Sequence, residues 1–213
     1  MENLDLSISK KGIELLKKMI GQKLISMEHS KLKGSNLIYE KVLLTTTSGN
    51  YLIDNYVDWF DNFFSGPEDI PFLDLKELNT ADNPFSGWSE NSTEIQLINE
   101  RIEDVLIVQD DGDIYKDDIY YQHMTSSEGI IFITNKAQYG FFKENMYLDE
   151  EVEFFKDEKD VLSKAKSLKE HYDIFGYPFS GKCKRSLISL KNKSVKEIDT
   201  VEEAGEIVKE EER

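Results

Sequence analysis

The 213 residues are enough for one large domain or two small ones, and shares of 39% apolar and 32% charged side chains are typical of a folded, water-soluble protein. With 42 acidic and 26 basic side chains the net charge is −16, which argues against binding to nucleic acid or anionic lipid. The single cysteine, Cys183, excludes an intramolecular disulfide and a zinc site built from several thiolates.

In the first half of the chain the pattern predicts one helix, several strands and a long loop. Ser9–Ile20 has apolar residues at helical spacing and is followed by a glycine. Lys23–Glu28 is strand-like, and Leu37–Thr46 with Tyr51–Val57 predicts a hairpin around a Thr-Ser-Gly-Asn turn. Three of the four prolines lie between residues 65 and 92, which predicts an irregular connection there, with room for one short element around Leu73–Leu78.

In the second half we expect helices to alternate with hairpins. Apolar residues recur at helical spacing from Thr93 to Val105 and again in Glu158–His171. The run Asp110–Asp113 contains an Asp-Gly pair and predicts a tight turn between strands. The predicted strands are Val105–Gln109, Asp118–His123, Gly129–Thr134, Gln138–Lys143, Val152–Phe155 and Lys182–Lys191.

These elements predict an α+β fold of mostly antiparallel sheet, built from hairpins with flanking helices. We expect residues 1–92 and 93–196 to form two halves of one compact domain, followed by an acidic tail at 197–213 with a short helix over Val201–Glu211. Thr, Gly and Asn recur 80 residues apart, which raises the alternative that the halves are copies of one helix-plus-hairpin unit.

Each candidate nucleotide-binding, metal-binding or catalytic motif in the sequence has a simpler structural explanation. Gly176–Cys183 has the spacing of a phosphate-binding loop, but Cys183 replaces the magnesium ligand and Pro178 removes a backbone donor. The aspartates around Gly112 do not follow the order of a calcium-binding loop. The three histidines are far apart in sequence, at positions 29, 123 and 171. We therefore assign no catalytic residue, no metal ligand and no cofactor.

The charge is concentrated in the middle of the chain. Residues 51–150 carry 22 acidic and five basic side chains, a net charge of −17. The stretch 182–196 is the opposite, with six basic side chains and no acidic one, and we expect it to lie beside the acidic middle. A field of this sign attracts cationic partners, so the expected partner is a basic protein rather than nucleic acid or a membrane.

Aromatic residues accompany the aspartates in that region. Tyr51–Phe64 holds six aromatic residues and three aspartates. Such a mixture is typical of a protein-binding surface. The simpler alternative is that the aromatics belong to the core and the aspartates to its solvated face; on strand alternation we expect Trp59 inside and Tyr56 outside. We predict one continuous acidic surface with these partner-binding residues: Asp54, Tyr56, Asp58, Asp61, Asp110, Asp111, Asp113, Asp117, Asp118 and Tyr120.

The leading hypothesis is a non-enzymatic acidic protein that binds a basic protein, such as an inhibitor or immunity protein that neutralises a toxin or nuclease. We expect it to be cytoplasmic, because the first residues do not resemble a secretory signal and no run of 18 apolar residues occurs. Few arginines and many lysines indicate AT-rich codons, as in many bacteria. The alternatives are an enzyme or small-ligand domain with a site assembled from distant residues, and a phage-type mimic of nucleic acid.

Overall fold

The computed structural model describes residues 3–30, 36–39, 41–63, 66–79, 82, 84–85, 93–116, 119–144, 151–157, 159–166 and 181–203. Within these residues one α-helix, α1, spans Lys10–Met19, and one 3-10 turn spans Leu162–Lys164. The described strands are β1 (Leu4–Leu6), β2 (Lys23–Ser30), β3 (Leu37–Tyr39), β4 (Lys41–Thr46), β5 (Gly49–Phe63), β6 (Gly66–Leu78), β7 (Thr93–Lys116), β8 (Ile119–Thr134), β9 (Gln138–Lys143), β10 (Glu151–Asp157), β11 (Gly181–Ser189) and β12 (Ser194–Glu203).

One long strand, β7, belongs to both parts of the sheet. Its first part pairs with β2 up to Arg101, and its second part, from Ile102, pairs with β8. The order of the sheet is β3-β10-β9-β8-β7-β2-β4-β5-β6, with β1 parallel on β8 and the β11–β12 hairpin on β7. Apart from β1, all of these pairings are antiparallel. The described residues therefore form mostly one antiparallel sheet of twelve strands.

The predicted α+β class with several flanking helices is wrong, because the described residues contain a single α-helix. The helix expected from Thr93 is the first part of β7, where Ile95 is 62% exposed and Leu97 is 76% exposed. β-branched isoleucines fit a pleated surface, and β2 supplies the partner strand that the local pattern does not show. The region from Thr93 therefore lacks the helix that a second helix-plus-hairpin unit would require.

Three further regions differ from the sequence-based expectation. Gly66–Leu78, expected to be part of an irregular connection, is the strand β6. Among the described residues β6 pairs only with β5, so it is an edge strand. An edge strand tolerates proline because one row of its N–H groups needs no partner. Of the helix predicted at Glu158–His171, the described part, 159–166, contains only the 3-10 turn. β12 continues to Glu203, so the first residues of the predicted tail helix are in a strand.

Elements with strong local signals are confirmed. α1 begins after Ser9, whose Oγ accepts a hydrogen bond from the Gly12 N–H at 3.0 Å, and Gly21 follows the helix with a left-handed φ of 86°. The hairpin predicted around residues 47–50 is formed by β4 and β5. Strands also occur at each of the other positions where the second half was expected to have one.

The main core lies between α1 and the sheet. Leu15, Leu16 and Met19 of α1 belong to one cluster with buried residues of most strands, including Met27, Ile53, Leu75, Val105, Phe132 and Phe141. A smaller core on the other face of the sheet contains Val108, Ile131, Phe142, Val161 and Ala165. The segment 159–166 thus covers one face of β7, β8, β9 and β11.

Candidate functional site

The distal part of β5 and β6 carries two exposed aromatic residues, Tyr56 and Trp59. Beyond Asp54, β5 pairs with β6 alone among the described residues, and we call Tyr56–Phe63 with Gly66–Phe72 the β5–β6 arm. Trp59 is 57% exposed and Tyr56 is 37% exposed. The prediction that Trp59 is buried in the core is therefore wrong, and the prediction that Tyr56 is exposed is confirmed.

Contacts on one face of the β5–β6 arm hold Tyr56 in place. Its ring stacks on Phe72 with centroids 5.5 Å apart, and Lys76 Nζ lies 5.1 Å from its centroid. Lys76 also forms an ion pair of 2.5 Å with Asp54, which is buried. Asp54 is thus neutralised inside the protein, whereas Asp58, opposite Ile70, remains exposed.

A second acidic group lies on the β7–β8 hairpin. Asp113 Oδ1 is 2.9 Å from His123 Nδ1, and Asp111 Oδ2 is 3.4 Å from His123 Nε2. Asp111 also accepts a hydrogen bond from the Thr125 hydroxyl at 2.9 Å. The hydrogen bond to Asp113 raises the pKa of His123, while partial burial acts in the opposite direction. We call Asp111, Asp113 and His123 the acid–histidine cluster.

This cluster predicts how stability depends on pH. Because the folded pKa of His123 lies above its ordinary value of 6.5, its contribution is fully present below about pH 6.5 and is lost as the pH rises through the folded pKa. Urea unfolding of the wild type and of His123→Gln between pH 5.5 and 8.5 should give a stability difference that shrinks with increasing pH. A difference that grows, or an NMR-measured pKa of His123 below 6.5, would contradict the arrangement.

Asp110, one residue before the cluster, does not face solvent. It is completely buried and accepts two hydrogen bonds from Arg185 of β11, at 2.7 Å from Nε and 2.8 Å from Nη2. The turn predicted at Asp110–Asp113 is wrong, because these residues lie within β7 and the chain reverses between Lys116 and Ile119. The expectation that the basic stretch lies beside the acidic middle is confirmed.

A buried charged cluster that sequence analysis did not predict lies next to this pair. Lys143 is buried and donates from Nζ to the Ser126 hydroxyl at 3.0 Å, and Glu128 is also buried. Burial lowers the pKa of Lys143, and the charges of Glu128 and Asp110 oppose that shift. With Arg185, two acidic and two basic groups balance one another inside the fold, so the cluster is explained by its own charge compensation.

The remaining predicted residues are only partly described. Tyr120 is exposed on β8. Asp117 and Asp118 lie outside the described residues, as does most of Gly176–Cys183. The position of the Asp61 side chain is not described. The structure thus places Asp111 and Asp113 close together and Tyr56 and Asp58 on the β5–β6 arm. Asp54 and Asp110 are buried and do not contribute to the surface.

Two other kinds of site find no support in the described residues. None of them form a group of three or more His, Cys, Asp or Glu side chains that could hold a metal ion. Cys183 is buried, and desolvation strongly raises the pKa of its thiol. A thiol that stays protonated at neutral pH is a poor nucleophile.

Comparisons with known proteins add no assignment. No protein-family description matches this chain, and no match was found among curated proteins or among solved structures. In the described part of the chain, no helix has the length and apolar character needed to cross a membrane.

Proposed function

We propose that this protein is a non-enzymatic, cytoplasmic binding protein for a basic protein, and most concretely an inhibitor or immunity protein. The observation that carries the proposal is the exposure of Trp59 beside Asp58 on the β5–β6 arm. Tryptophan and tyrosine are the residues most enriched among those that dominate binding energy at protein interfaces. An exposed tryptophan in a folded protein therefore favours the binding interpretation over the core interpretation.

The charge distribution supports a cationic partner. Asp58 lies on the β5–β6 arm with the exposed Tyr56 and Trp59, and Asp111 and Asp113 supply two further carboxylates on the β7–β8 hairpin. The acidic middle of the chain, at −17, would steer a basic protein towards these residues. A nucleic-acid mimic needs rows of unpaired carboxylates, and two of the predicted aspartates are instead neutralised by Lys76 and Arg185.

The first test separates binding from folding. Trp59→Ala should keep the melting temperature within about 3 °C of the wild type, since truncating a mostly exposed side chain costs little. Leu97→Ala, which truncates another exposed apolar residue on a different strand, is the matched control. Loss of folding in Trp59→Ala would show that Trp59 stabilises the fold, and this result would remove the main support for the proposal.

The second step uses the same three proteins as immobilised baits in an extract of the source organism. The wild type and Leu97→Ala should capture the same basic protein, and Trp59→Ala should bind it about 30-fold more weakly, or about 2 kcal/mol. Raising the salt concentration should slow association steeply and change dissociation little. An acidic partner, or equal binding by all three proteins, would contradict the proposal.

A further inference from the structure

A pocket of about 380 Å³ lies on the opposite side of β7 from the segment 159–166. It is formed where α1 and the residues before it approach β7, β8 and the β11–β12 hairpin. Ligand-binding pockets usually measure about 300–1,000 Å³, so this one is large enough for a small molecule. None of the partner-binding residues discussed above lines it.

The interior of the pocket is mainly apolar. Its walls include Ile13 of α1, Ile107 of β7 and Ile188 of β11, and its outer edge includes Val195, which is 65% exposed. The Gln109 amide has no hydrogen-bond partner among the described residues, so it is available to a ligand. The hydroxyl of Ser127, by contrast, already accepts a hydrogen bond from the Ile8 N–H at 3.1 Å.

The charge at the rim is opposite in sign to that of the whole chain. Lys17 and Lys193 line the pocket, and Lys193 forms no ion pair with any described residue. Lys17 forms an ion pair with Glu14 at 2.7 Å. Interactions with Lys17, and to a smaller extent with Lys18 and Lys193, lower the pKa of Glu14. Glu14 does not itself line the pocket, so the charged side chains of the lining are Lys17 and Lys193.

We propose that this pocket binds a small amphipathic carboxylate, with its aliphatic chain among the isoleucines and its carboxylate between Lys193 and the Gln109 amide. A volume of about 380 Å³ lies at the small end of the range for ligand pockets, which suits a short-chain ligand. Phosphate groups are usually held by backbone N–H groups at a helix start, by a bidentate arginine, or by a lysine that acts together with such N–H groups. The described lining contains two lysines, one amide and three serine hydroxyls but no arginine, and this small set of donors beside apolar walls suits the single charge of a carboxylate.

Decanoate is the probe, and decanol is its uncharged counterpart. Calorimetry on the full-length protein should show one saturable site for decanoate with a dissociation constant below about 1 mM, and binding of decanol at least about tenfold weaker. The NMR signals of the Ile107 and Ile188 methyl groups should shift during the titration. No saturable binding of decanoate, or shifts confined to other residues, would overturn the proposal.

Matched lysine variants test the head-group contact. Lys193→Gln should weaken decanoate binding about fivefold, and Gln109→Leu about tenfold, because each removes one contact to the carboxylate. Lys196→Gln removes the same charge from an exposed position outside the pocket and should stay within about twofold of the wild type. Melting temperatures confirm that each variant is folded. Equal binding by all four proteins, or equal affinity for decanol and decanoate, would overturn carboxylate recognition.

Discussion

Replacing Arg185 with leucine should lower the free energy of unfolding by about 3–5 kcal/mol, because it leaves a buried carboxylate without its counter-charge. The side chain of Arg185 is 13% exposed and that of Asp110 is fully buried. The guanidinium also donates to the backbone carbonyls of Ala165 and Lys166, so it fastens the segment 159–166 to the sheet. The variant should therefore loosen the smaller core as well.

Urea unfolding, with the neighbouring residue of β11 as control, measures this effect. Lys184 forms an ion pair with Glu197 at 2.5 Å, but both side chains are about half exposed. Lys184→Leu should cost no more than about 1 kcal/mol, because water already screens that pair. The double variant Asp110→Leu/Arg185→Leu should recover much of the stability lost in Arg185→Leu. Equal costs for Arg185→Leu and Lys184→Leu would show that the buried pair is not as described.

Gly129→Ala should destabilise the protein by about 2–3 kcal/mol, because the added methyl group has no room. A Cβ atom there would lie 2.2 Å from Phe142 Cδ1 and 2.8 Å from the Phe141 carbonyl oxygen. Gly129 and Phe142 are opposite each other in the β8–β9 pairing, and the Phe142 ring also covers Gly140. The smaller core is thus built on an aromatic ring that lies over two glycines.

A double-mutant cycle distinguishes this collision from a general weakness of β8. Phe142→Leu shortens the side chain that meets the new methyl group, so Gly129→Ala should cost less in the Phe142→Leu background than in the wild type. The four free energies of unfolding in urea give the coupling directly. Strictly additive costs would mean that Phe142 is not what excludes a side chain at position 129.

Elements whose determinants are close together in sequence were predictable. α1 follows from one apolar face, a serine cap and a terminal glycine, and the β4–β5 hairpin from a turn between two apolar runs. The attraction between the basic stretch and the acidic middle was also predictable, since opposite charges of this size favour proximity whatever the exact pairing.

The strand β7 and the sites depend on pairings between distant residues. Helical spacing around Ile98 and the Asp-Gly pair at Asp111 are local signals, and pairing with β2, β8 and β11 overrides both. Composition alone likewise predicted acidic and aromatic residues at a surface, but not which of them face solvent. That choice depends on register: Arg185 opposite Asp110 buries one aspartate, and His123 opposite Asp113 holds another near the surface. β4 begins at Lys41, opposite Asp54, so its pairing with β5 does not reach Trp59, which is exposed.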